Sequence, residues 1–112
     1  MSIYQKMIKV LEECDVEGYL DLLHDDYVFV RHQSDQMVSK EDWTPTVSGM
    51  FNAMKESNLK FEKNRCLYEN NEILVMHSIG NFPDGTKEAI MAVHSLLDGK
   101  IIKTESGATR IN

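Results

Sequence analysis

His77 and His94 are the residues of this chain best suited to moving a proton near neutral pH, because an imidazole titrates there and can donate or accept. Both fall in runs that read as strands, on either side of Pro83-Asp84-Gly85. Side chains alternate along a strand, so the length of that turn decides whether the two rings meet. A loop of two or four residues puts them on one face, and a loop of three puts them on opposite faces. Pro-Asp-Gly permits either. Arg31 is the third candidate, since a guanidinium can hold a carboxylate or enolate through two parallel hydrogen bonds. It alternates with Tyr27 and Phe29 in the run YVFVRH, so Phe29 and Arg31 share a face. The last run offers Thr104 and Ser106 on one side and Lys103 and Glu105 on the other. Lys and Glu are rarely buried unpaired, so Thr104 and Ser106 are expected inside. If Asn70-Asn71 forms a two-residue turn, Asn64 lies across from His77.

Each of these residues also has a plainer reading. A histidine in a strand can be a core polar group bonded to Asn, Ser or backbone. Trp43, Met50 and Met54 recur at helical spacing and fit a core as well as a ligand cage. No metal is expected, because there is no HxH, no HExxH and no acid anticipated beside the histidines. Neither a glycine-rich phosphate loop nor a nucleophilic triad is visible, and no cofactor is expected. His24 and His32 sit near strand ends and read as solvated. Cys14 and Cys66 read as free thiols acting as small buried hydrophobes.

The elements that position these residues follow from pattern. Ile3, Met7, Val10, Leu11 and Cys14 form one helical face, and Asp15 can cap a short second helix through Leu23. YVFVRH is the first strand and Gln33 to Val38 a polar loop. Ser39-Lys40-Glu41-Asp42 resembles a capping box and opens a helix carrying Trp43, Val47, Met50, Phe51 and Met54, with Pro45 in its first turn. Four strands follow, over residues 59–69, 72–82, 87–97 and 100–108, separated by hairpin signals at Asn70-Asn71, Pro83-Asp84-Gly85 and Asp98-Gly99. The expected order is therefore α-α-β-α-β-β-β-β. One such sheet buries a single face against so few helices, so it must bend around them. The strand over 87–97 is nevertheless apolar on both faces, with Ala89, Met91, Val93 and Leu97 on the second, and Leu74 and Met76 are expected to extend that face. A strand apolar on both sides is covered on both sides, so a homodimer through the outer face is expected.

The 112 residues suit one domain over 1–112, given roughly 100–200 residues per domain. The formal net charge of −6 and the scattered basic residues exclude a nucleic-acid backbone as partner. No stretch is long enough to span a bilayer, and Lys6, Lys9, Glu12 and Glu13 interrupt the N-terminal apolar pattern, so no membrane partner and a cytoplasmic location are expected.

The helix pair, first strand, capped helix and long meander, with LLHDDYVF and LLDGKIIKTES, resemble the nuclear transport factor 2-like superfamily, and more nearly its SnoaL-like, polyketide cyclase-like branch. The resemblance covers nearly the whole chain. It implies an α+β cone, with helices packed in the concave face of a strongly bent antiparallel sheet around a pocket. It specifies fold well and function poorly, because the superfamily contains isomerases, dehydratases, epoxide hydrolases, cyclases and non-catalytic binders. The catalytic positions of its ketosteroid isomerases align with Met7, Ala92 and Arg31, and those of its limonene-epoxide hydrolases with Val75, His77 and Ser106. No working carboxylate of either survives, so neither reaction in its known form is expected. The resemblance favours His77 and His94 on the inner face beside Ile90 and Ala92, with Trp43 near the mouth. The implied ligand is a small apolar or weakly acidic molecule, with His77 and His94 as acid-base candidates. Phe29, Arg31, Trp43, Asn64, Ile90, Thr104 and Ser106 would bind it. The alternative is a non-catalytic dimeric module with a filled cone.

Overall fold

Ser2 opens the first helix with a full capping box: its hydroxyl accepts the Gln5 N–H, and the Gln5 side chain accepts the Ser2 N–H. A computed structural model describes residues 1–111, arranged as α1 (Ile3–Glu12), α2 (Val16–Asp21), β1 (Leu23–Arg31), β2 (Gln36–Ser39), α3 (Lys40–Lys55), β3 (Lys60–Glu69), β4 (Ile73–Asn81), β5 (Lys87–Leu97) and β6 (Lys100–Ile111). Asp15 caps α2 through the Gly18 N–H, and Ser39 caps α3 through the Asp42 N–H. Pro45 lies beyond the first turn of α3, so the Glu41 carbonyl has no helical donor there.

The strands form one curved six-stranded sheet in the order β2-β1-β6-β5-β4-β3. The meander over β3–β6 is antiparallel, as its turns imply, but β1 runs parallel to β6, so the sheet is mixed. β2 was expected to be loop; it pairs antiparallel with β1, from Val28–Ser39 to Arg31–Gln36. α2 ends at Asp21 and β1 already begins at Leu23, because Leu23 reaches across to pair with Ile101.

The core fills the concave side. Tyr27, Val47, Phe51, Leu74 and Ile101 are the largest side chains fully sealed from water. Burial of each contributes about 1.5–3 kcal/mol. Leu74 and Met76 belong to this core and not to the outer face; Val75 and Ile79 alternate with them and point outward. Cys66 is exposed rather than a buried hydrophobe, because β3 is the edge strand at that end. Among the described residues no helix is long and apolar enough to cross a membrane.

Candidate ligand-binding site

Register on the inner face of the sheet builds the site rung by rung. Phe29 pairs with Thr104 and Thr104 with His94; Arg31 pairs with Ser106 and Ser106 with Ala92. Strand alternation then sends Ile90 and Glu88 inward along β5 above His94. With α3 supplying Trp43, Val47, Met50 and Phe51 from the opposite side, these residues enclose a cavity of about 280 Å³. At about 3.3 Å per residue and 4.8 Å per strand, Arg31 stands roughly 7 Å up and two strands across from His94.

The β4–β5 turn overturns the shared face of the two histidines. Phe82 N–H donates to the Thr86 carbonyl, which leaves a three-residue loop, Pro83-Asp84-Gly85, with Gly85 at φ 86°. His77 accordingly pairs with Met91 and His94 with Leu74. His94 is inside; His77 is outside, in a shallow hollow with His32, Met91 and Gly107. His77 is therefore no part of the cavity. The positions Val75 and His77 aligned with epoxide hydrolases also point outward, and Met76 and Ser78 take the inward places.

Asn64 does line the cavity, though not by the expected pairing. The Asn70 side chain caps a turn over Asn71-Glu72, and a register shift between Glu62 and Arg65, with Lys63 at φ 55°, sets Arg65 opposite His77 and turns Asn64 inward. Its amide donates to the Phe61 carbonyl at 3.4 Å. Arg31 is exposed at the mouth, 5.8 Å over the Phe29 ring. Trp43 is buried, not at the mouth: it stacks on Phe29 at 4.0 Å and 6°, and its Nε1 donates to the Tyr19 hydroxyl at 3.1 Å. The mouth is instead closed on one side by Phe82, which folds over Gly80 to meet Phe61 edge-on.

The floor carries the chemistry. His94 is 7% exposed, and its Nδ1 lies 2.8 Å from Thr104 Oγ1. Burial pushes its pKa down to about 4, so the ring is neutral at pH 7. Burial raises Tyr19, with the Trp43 hydrogen bond opposing, and holds Tyr27 well above the usual tyrosine range. Several polar groups of the cavity escaped the sequence reading, Ser78 and Gln33 among them. Glu88 brings a carboxylate to the cavity, and its place two residues before Ile90 was the signal for it. The Tyr19 hydroxyl is another, since nothing local shows that it meets Trp43 from 24 residues away.

A curved sheet wrapped around helices, with a cavity between them, defines the nuclear transport factor 2-like class. Within it the chain belongs to the SnoaL-like domain family, which matches residues 4–104. Two solved structures show the same fold. One is a nuclear transport factor 2-like protein of unknown function from Mesorhizobium loti, with TM-score 0.79, 11% identity, and 96% of this chain and 88% of that chain covered. The other is a steroid delta-isomerase from Pseudomonas aeruginosa, with TM-score 0.72, 15% identity, and 96% and 77% covered. At such identities the likeness carries the fold alone. No curated protein matches the sequence.

Proposed function

We propose that the cone binds one small, mostly apolar molecule bearing a carbonyl or carboxylate group, with its oxygen at His94 and any anionic end at Arg31. The observation that carries this reading is the open cavity of about 280 Å³, apolar along its walls and polar at the His94–Thr104 floor. It favours a binding cone over one filled by its own side chains. A molecule of one or two rings spans the distance between the two groups. Proton-transfer chemistry of the isomerase, cyclase or dehydratase type fits a neutral imidazole beside a carbonyl, with Glu88 as the carboxylate nearer the mouth. The steroid delta-isomerase among the structural neighbours supports that class. Met7, Ala92 and Arg31 at the aligned catalytic positions mean that different groups would serve here.

The test is a panel of aromatic carboxylates, cyclic ketones and phenols, read by thermal shift and by Trp43 fluorescence. Trp43 is already shielded from water, so its signal would report ligand contact rather than loss of solvent. A ligand at 100 times its Kd stabilises by about 2.7 kcal/mol. Arg31→Ala should weaken carboxylates about tenfold, or 1.4 kcal/mol, and spare neutral ketones. No response to any member by folded protein would remove the reading.

We also propose that a second copy of the chain covers the outer face. Val75, Ile79, Ala89 and Val93 form an apolar patch there, and Met91, 42% exposed, pairs in register with Gly107. A protruding methionine beside a hollow is self-complementary about a two-fold axis, each Met91 seating over the partner's Gly107. The free thiols Cys14 and Cys66 fit a reducing cytoplasm.

A further inference from the structure

Beneath the cavity, polar groups from five elements, α3, α2, β1, β6 and β5, lie one beside the next. Trp43 Nε1–H donates to the Tyr19 hydroxyl at one end, and Thr104 Oγ1 meets His94 Nδ1 at the other. Between them sits the Tyr27 hydroxyl, in a residue 1% exposed. It lies beside the hydroxyls of Tyr19 and Thr104 but meets neither in hydrogen-bond geometry. A buried hydroxyl left unpaired is costly, and small rotations would pair it with both neighbours. An indole N–H can only donate, so the Tyr19 oxygen is an acceptor and its own hydrogen is free to point onward. Passed along in that direction, Tyr19 donates to Tyr27, Tyr27 to Thr104, and Thr104 to His94 Nδ1. Every hydroxyl then gives one hydrogen bond and receives one.

We propose that Trp43, Tyr19, Tyr27, Thr104 and His94 form a one-way hydrogen-bond chain that fixes His94 as the Nε2–H tautomer, so that the cone selects ligands placing an acceptor oxygen, as in a ketone, enolate or phenolate, at its floor. The tautomer is set by the bond that the other ring nitrogen makes. Nδ1 is occupied by Thr104; Nε2 has no hydrogen-bond partner among the described residues and is not sealed from accessible space, which on this face is the cavity. His94 in this state donates a hydrogen bond to the ligand and does not accept one. The neutral ring at pH 7 agrees with this. Tyr27 and Thr104 act through His94 and are positioning residues.

The ligand part of this inference rests on the binding reading above; the tautomer does not. The test is a long-range ¹H–¹⁵N spectrum of ¹⁵N-histidine-labelled, ligand-free protein at pH 7, with His94 assigned by its absence in His94→Gln. The expected result is a pyridine-type Nδ1 and a pyrrole-type Nε2. Thr104→Val should shift the ring toward the Nδ1–H form or a mixture, and Thr104→Ser should restore it. Tyr27→Phe should also give a mixture, so the chain remains testable where Thr104→Val does not fold. A pyridine-type Nε2 in the unaltered protein, or a tautomer indifferent to both Thr104→Val and Tyr27→Phe, would overturn the chain. Added cyclohexanone should move the Nε2–H resonance. Silence there, with the tautomer as expected, would overturn the ligand selection alone.

Discussion

His94 turns a burial fact into a pH dependence. Its pKa is about 4 in the folded chain and near 6.5 when unfolded, so between those values the unfolded state binds the extra proton. Stability therefore rises with pH through that window: this contribution is full above pH 6.5 and is lost as pH falls toward 4. The difference is on the order of 3 kcal/mol. Urea unfolding of the native chain at pH 7 and pH 4.5, compared with His94→Gln, should show the variant losing markedly less on acidification. Equal losses would mean that His94 is not the buried group responsible. Much of the cavity lining was legible at this scale: Phe29, Arg31, Thr104 and Ser106 followed from alternation and side-chain type and Ile90 from the family resemblance, and all line the cavity. His77 did not follow, since one residue of loop length decides its face and Pro-Asp-Gly fits either count.

The turns are the elements where sequence spoke most plainly. Asp98 and Gly99 both take positive φ, 53° and 75°, closing β5 onto β6 between Leu97 and Lys100. That is the backbone a two-residue primed turn demands, and only glycine adopts it without strain. Gly99→Ala should lower stability by about 1 kcal/mol, measured by denaturant midpoint, with Asp98→Asn nearly neutral. An unchanged midpoint for Gly99→Ala would mean that the turn tolerates rearrangement. Pairing across long separations was less legible. β1 meets β6 in parallel some 80 residues away, and Gln36–Ser39 pairs only because β1 is already placed to receive it. Local pattern carries neither fact. The bulge that turns Asn64 inward was hidden for the same reason, since a residue's partner is fixed by the whole register of the ladder.

At the scale of the molecule, one face of the sheet lines the cavity and the other is the face proposed to seat a second copy. Sedimentation at micromolar concentration should give a mass near twice 12.9 kDa, and Met91→Glu should return it to the monomer by burying a charge against the partner's apolar patch. A monomer across that range in the unaltered chain would remove the dimer. Native mass spectrometry of the freshly purified protein, before and after incubation with cyclic ketones and aromatic carboxylates, tests whether the cone holds a small molecule. The expected result is one noncovalent adduct per chain, lost in Ala92→Trp, whose indole would occupy the space above His94. Spectra free of adduct under every condition, or an adduct that Ala92→Trp leaves unchanged, would contradict it.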